Sequence, residues 1–171
     1  EVAEASYPQI KNSVTCGYQG WFSAPQERTQ KKWRHYSADH QAFEEGSIGI
    51  ELWPDMTEMD ADEKFATNFK NSKNETQFVY SSENEKTISR HFQWMKQYNI
   101  DGVYLQRFGT EIRNSKSVNA QFVNSVLRSS IKAANQHKRG LSITYDLSGL
   151  DSGELMEVIA QDWKLLCDQY R

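Results

Sequence analysis

The chain has 171 residues and balances 20 Lys+Arg against 23 Asp+Glu, a formal net charge of −3, which leaves no basic surplus for nucleic acid or anionic lipid. Mean hydropathy is −0.80, and no apolar run approaches the ~18–20 residues of a membrane span. Yet 5 Trp, 8 Tyr and 8 Phe are far too many for a disordered polymer, so a folded, aromatic-rich domain is expected.

Glu1, Val2 and Ala3 open the chain in place of Met, which points to a processed chain or a piece of a longer one. The first strand is expected over 14–22 (VTCGYQGWF). Residues 23–46 then run without helical period, with Pro25, Trp33, His35, Tyr36 and Phe43 in a charged background. So long a connection is usually functional, and its aromatics favour an ordered loop on the active-site face. A second strand is expected over 47–53 (SIGIELW), a short helix around 60–70 and a small extra strand over 77–80. A helix over 83–98 places Ile88, Phe92 and Met95 on one face, with Ser82 and Glu85 as a capping box. The third strand covers 101–108 (DGVYLQRF); a helix over 117–137 follows, stopped by Gly140. The fourth strand covers 141–146 (LSITYD), and a helix over 152–170 closes the chain. Strands alternating with helices predict an α/β single domain with a parallel sheet. The phosphate-loop patterns G-x-G-x-x-G and G-x-x-x-x-G-K-[ST] and the nucleophile elbow G-x-S-x-G are absent, which argues against a nucleotide fold or a serine hydrolase. Cys16 and Cys167 stand near opposite ends and read as buried free thiols, and no Cys/His spacing fits zinc. Asn74-Glu75-Thr76 is a glycosylation sequon.

Side chains alternate along a strand. In the second expected strand Gly49, Glu51 and Trp53 share a face; in the third, Gly102, Tyr104 and Gln106; in the fourth, Ser142, Thr144 and Asp146; in the first, Gln19 falls with Thr15, Gly17 and Trp21. One face is aliphatic and the other polar or aromatic toward the strand ends. A doubly wound sheet wants apolar strands on both faces, whereas a barrel interior tolerates polar layers and gathers its site at the C-terminal strand ends. Those ends carry Gln19, Trp21, Trp53, Asp55, Gln106, Arg107 and Asp146. Aromatic faces stack on pyranose C–H faces while Asp, Gln and Arg take hydroxyls, so this mixture is a kit for sugar recognition.

Five segments then occur in a telling order: Gly17-Tyr18-Gln19-Gly20-Trp21-Phe22, Leu52-Trp53-Pro54-Asp55-Met56, His91-Phe92-Gln93-Trp94-Met95, the stretch 100–108 (IDGVYLQRF) and Tyr145-Asp146-Leu147-Ser148-Gly149. Together they resemble a branch of the glycoside hydrolase family 71/99-like group, from about Thr15 to the C-terminus. The resemblance implies a (β/α)8 TIM-type barrel of which this chain holds the first four β/α units, at about 42 residues each. It implies a secreted or periplasmic protein that acts on an α-linked glycan, mannoside or glucan, without an organic cofactor or metal. Residues 33–36 (WRHY) resemble the family's aromatic–His loop, with Tyr36 where a Trp is more usual.

Glycoside hydrolysis needs two carboxyl groups flanking the bond. The family's acid/base glutamates lie in a Glu/Trp-rich motif of the second half, and no such stretch occurs here, so no catalytic residue is assigned. The expected substrate-binding set is Gln19, Trp21, His35, Tyr36, Glu51, Trp53, Asp55, Gln106, Arg107 and Asp146, with Arg107 offsetting the carboxylates. Three readings stay open. The chain is part of a glycosidase whose acid and base lie beyond residue 171, a non-catalytic carbohydrate-binding or interaction protein, or a half barrel that self-associates through open sheet edges.

Overall fold

The computed structural model describes residues 12–25, 32–39 and 41–170; the Glu1 start and residues 26–31 of the long loop lie outside them. In chain order the elements are β1 (Thr15–Tyr18), a 3-10 turn (Ala61–Glu63), β2 (Phe65–Lys70), β3 (Thr76–Val79), α1 (Glu85–Gln97), β4 (Gly102–Phe108), α2 (Gly109–Ile112), α3 (Val118–His137), β5 (Gly140–Asp146), α4 (Ser152–Glu154), a π turn (Leu155–Ile159) and α5 (Ala160–Gln169).

β1, β4 and β5 form a parallel sheet in the order β1-β4-β5, and β2 and β3 form a separate antiparallel pair. The parallel register aligns Thr15 with Gly102 and Gly140, Gly17 with Tyr104 and Ser142, and Gln106 with Thr144. Gly102 is required here, because a Cβ would meet the Gly140 carbonyl oxygen at 2.8 Å. Alternation sends Val103 and Leu105, each 3% exposed, under the helices and leaves Tyr104 39% exposed on the other side. The main core joins these two residues to Ile88, Phe92 and Met95 of α1, to Phe122, Val126, Leu127, Ala133 and Ala134 of α3, and to Leu166 of α5. α1 starts at Asn84, whose side chain accepts from the Lys86 and Thr87 N–H groups, and α3 at Ser117, which accepts from Ala120. A second core gathers Tyr36, Phe43 and Val79 with Phe22, Trp33, Ile50, Trp53, Phe65 and Phe69.

Several expectations need correction. The described residues form a small α/β domain with no closed barrel, because β1 pairs directly with β4 and no second β/α strand lies between them. The segment 47–53 makes only a single bridge, Ser37 to Ile48. It is tied instead to the long loop, where Ala38 N–H donates to Ser47 and Gly49 N–H donates to Tyr36 at 2.7 Å. Gly49 lies so close to that loop that a Cβ would sit 2.9 Å from the Ser37 carbonyl carbon, and the turn into the segment uses Gly46 at φ 88°. The helix expected around 60–70 is the 3-10 turn followed by β2, whose Phe65, Thr67 and Phe69 alternate inward. The extra strand expected over 77–80 is β3, and the first strand is shorter than 14–22. Asn84 replaces the Ser82–Glu85 box as cap, and α3 stops on Lys138 in the left-handed region, two residues before Gly140. The thiols are free, but Cys16 is exposed and Cys167 half-buried.

Candidate functional site

The parallel sheet has one face under helices and one open. On the open face Thr15, Gly17, Tyr104, Ser142 and Thr144 are all exposed, and a Cβ built on Gly17 would meet nothing within 4 Å. Toward the C-terminal strand ends the face turns polar and connected. The Gln106 amide donates to the Asp146 carboxylate at 2.8 Å, and the Gln19 amide donates to Gln106 Oε1 at 3.4 Å. β4, β5 and the residue that follows β1 thus contribute one row of amides and a carboxylate. The Ser148 backbone N–H also donates to Asp146, at 2.9 Å. That bond, reinforced by the Ser148 hydroxyl and Gln106, holds the Asp146 carboxyl below the usual carboxylate range. Near neutral pH Asp146 is therefore an acceptor for hydroxyl groups and not a proton donor.

An aromatic stack borders this row. Trp21 lies between His35, with ring centroids 4.5 Å apart, and Phe108, 5.4 Å away. His35 adopts φ 61°, so the loop bends sharply where the imidazole meets the indole. Arg34 beside it pairs with Glu111 and lies over the Phe122 ring, which anchors the loop to α2 and α3.

Of the ten expected residues, Gln19, Gln106 and Asp146 are brought together, and Trp21 and His35 stack next to them. The other five are not. Tyr36 is 1% exposed and donates to the Tyr80 carbonyl inside the second core. Trp53 donates its indole N–H to the Phe78 carbonyl and stacks on Phe43. Glu51 is exposed on its loop, and Asp55, also exposed, accepts from Thr57 N–H in a local turn. Arg107 points to the covered face: it is 3% exposed and pairs with Asp162, bonds Asn124, and shares Asp162 with the Tyr145 hydroxyl. Arg107 balances Asp162, not Asp146. The binding set leaves out Tyr104, whose place in the strand alternation beside Gln106 was its signal.

Elsewhere, Asp60, Asp62 and Glu63 place three carboxylates within 4.8 Å of one another. Lys86 and Arg90 already pair with them, and Glu63 also takes the Thr87 hydroxyl, so the cluster is an ion-paired knot between the 3-10 turn and α1. A groove of about 820 Å³ follows β5 and α5, lined by Leu141, Ile143, Ile131, Trp163, Leu166 and Tyr170 among others. No described helix is long and apolar enough to cross a membrane. No protein-family model matches the chain, and no curated protein matches it.

Proposed function

We propose that the open sheet face binds carbohydrate. The observation that carries this is the hydrogen-bonded row Gln19–Gln106–Asp146 beside exposed Tyr104 and the Trp21–His35–Phe108 stack. Amides and an ionised carboxylate offer paired donors and acceptors to adjacent sugar hydroxyls, while Tyr104 offers a flat apolar surface to the ring. Gly17 beside Tyr104 keeps the floor low enough for a ring to lie on the sheet. The resemblance to the family 71/99-like group supports an α-linked oligo- or polysaccharide as the ligand class and, with it, a location outside the cytoplasm. Asp146 is the single carboxylate on the open face of the three described strands, where hydrolysis uses a pair. The described residues therefore act here by binding.

The test is titration of the chain with α-linked manno- and gluco-oligosaccharides. Saturable binding is expected, weakened at least about tenfold (1.4 kcal/mol) by Tyr104→Ala and by Asp146→Asn. Absence of binding across both series, or binding untouched by either variant, rejects the reading. A second reading, a glycosidase whose acid and base come from outside these 171 residues, is favoured by the ordered motifs that resemble the family 71/99-like group. It predicts that the chain binds but releases no reducing ends. Release of reducing ends by the chain itself would overturn the claim that its role is binding alone.

A further inference from the structure

Beneath the aromatic stack lies a small cavity of about 10 Å³, lined by Gly20, Trp21, Arg107, Phe108, Glu111 and Val126 among others. Two of its lining residues carry buried N–H donors with no partner among the described residues, Trp21 Nε1 and Arg107 Nη1. Arg107 spends its other donors on Asp162 and Asn124 and is 97% buried by its 3% exposure, so it cannot turn to solvent. Glu111 lines the same cavity; Arg34 occupies its Oε1, and its second oxygen is the natural acceptor.

We propose that this cage is a binding site for one structural water molecule. The volume is that of a single water, and a buried water needs two to four polar partners. A water here accepts from the Trp21 indole and the Arg107 guanidinium and donates to Glu111. Charge decides for water over an anion: each guanidinium is already matched, Arg107 by Asp162 and Arg34 by Glu111, so an added anion would sit beside carboxylates with no cation to offset it. The bound water links the Arg107–Asp162–Tyr145 network on the covered face to the Arg34–Glu111 pair of the loop. It also pins the edge of the indole whose faces meet His35 and Phe108. The site stands on buried donors alone and holds whatever ligand the open face takes.

The test combines crystallography with proton NMR on the chain. Diffraction from a crystal soaked in sodium bromide is expected to show a water peak about 2.7–3.2 Å from both nitrogens and no anomalous signal there. In solution the Trp21 indole proton is expected to show a cross-relaxation peak to a long-lived water, absent for Trp163, which is 52% exposed. Bromide in the cage overturns the assignment in favour of an anion. A cage closed by side-chain movement, with Trp21 Nε1 bonded to a protein atom and no water peak, overturns it outright. Sugar binding that fails while the water is seen would leave this site standing and remove only the reading of the open face.

Discussion

His91 of α1 packs its ring against Tyr80, edge-on at 5.3 Å, and against Trp94, stacked at 5.5 Å. The Tyr18 hydroxyl, which burial keeps protonated, shares a hydrogen bond with its Nδ1 at 2.8 Å. Burial pushes the His91 pKa down to about 4 from 6.5, with Glu63 pulling upward and Arg90 adding a smaller push down. A folded pKa below the unfolded one means the unfolded chain binds the proton first. The stability His91 contributes is therefore whole above pH 6.5 and is lost as pH falls toward 4, at about 1.4 kcal/mol per pH unit. Between pH 7 and 5 the wild type should lose roughly 2 kcal/mol more than His91→Gln, which keeps an acceptor for Tyr18 but cannot titrate. Urea midpoints that fall in parallel for the two proteins refute this. His91 illustrates what single residues conceal: its place in a helix was legible, its burial against three aromatic rings was not. The same limit explains the site. Gln19, Gln106 and Asp146 share one period-2 face and could be grouped from sequence, whereas Tyr36 and Trp53 read as sugar platforms because nothing local told that a loop would fold them into a second core.

α1, α3, β4 and β5 were legible because the apolar period of each is unbroken over the whole element. The 47–53 stretch has the same alternation and the same seven-residue length as β4 and β5, but its backbone finds partners in the 33–38 loop, a contact no window around it contains. β2 differs in the opposite way: a short helix is expected around 60–70, although Phe65, Thr67 and Phe69 already alternate there. Capping is similarly fine-grained. Asn84 accepts from Lys86 and Thr87 N–H groups and donates to the Asp62 carbonyl at 2.8 Å, so it both starts α1 and holds the preceding turn. Asn84→Ala should cost about 1–2 kcal/mol of unfolding free energy, and Asn84→Ser should recover at least half by restoring the cap alone. If Asn84→Ser is as unstable as Asn84→Ala in chemical denaturation, the bond to Asp62 and not the cap is what matters.

At the scale of the whole fold the governing feature is a parallel sheet with only one face covered among the described residues. Parallel sheets are normally buried on both sides, so an uncovered face needs a reason, and here it is polar from Thr15 to Asp146 and organised by hydrogen bonds. Neighbouring residues of β4 let this be tested as a two-sided property. Gln106 faces out and Arg107 faces in, one position apart. Arg107 lies among groups that ion-pair and bond it, tying β4 to α3 through Asn124 and to α5 through Asp162. Arg107→Ala leaves Asp162, 11% exposed, without its counter-charge, and loss of one partner of a buried pair costs about 3–5 kcal/mol. Gln106→Ala removes two exposed-side hydrogen bonds and should move stability by no more than about 0.5 kcal/mol, while weakening oligosaccharide binding at least about tenfold. The two substitutions should thus separate fold from binding. Equal destabilisation by both, measured by urea unfolding, would show that the open face holds the sheet together and is not free to meet a ligand.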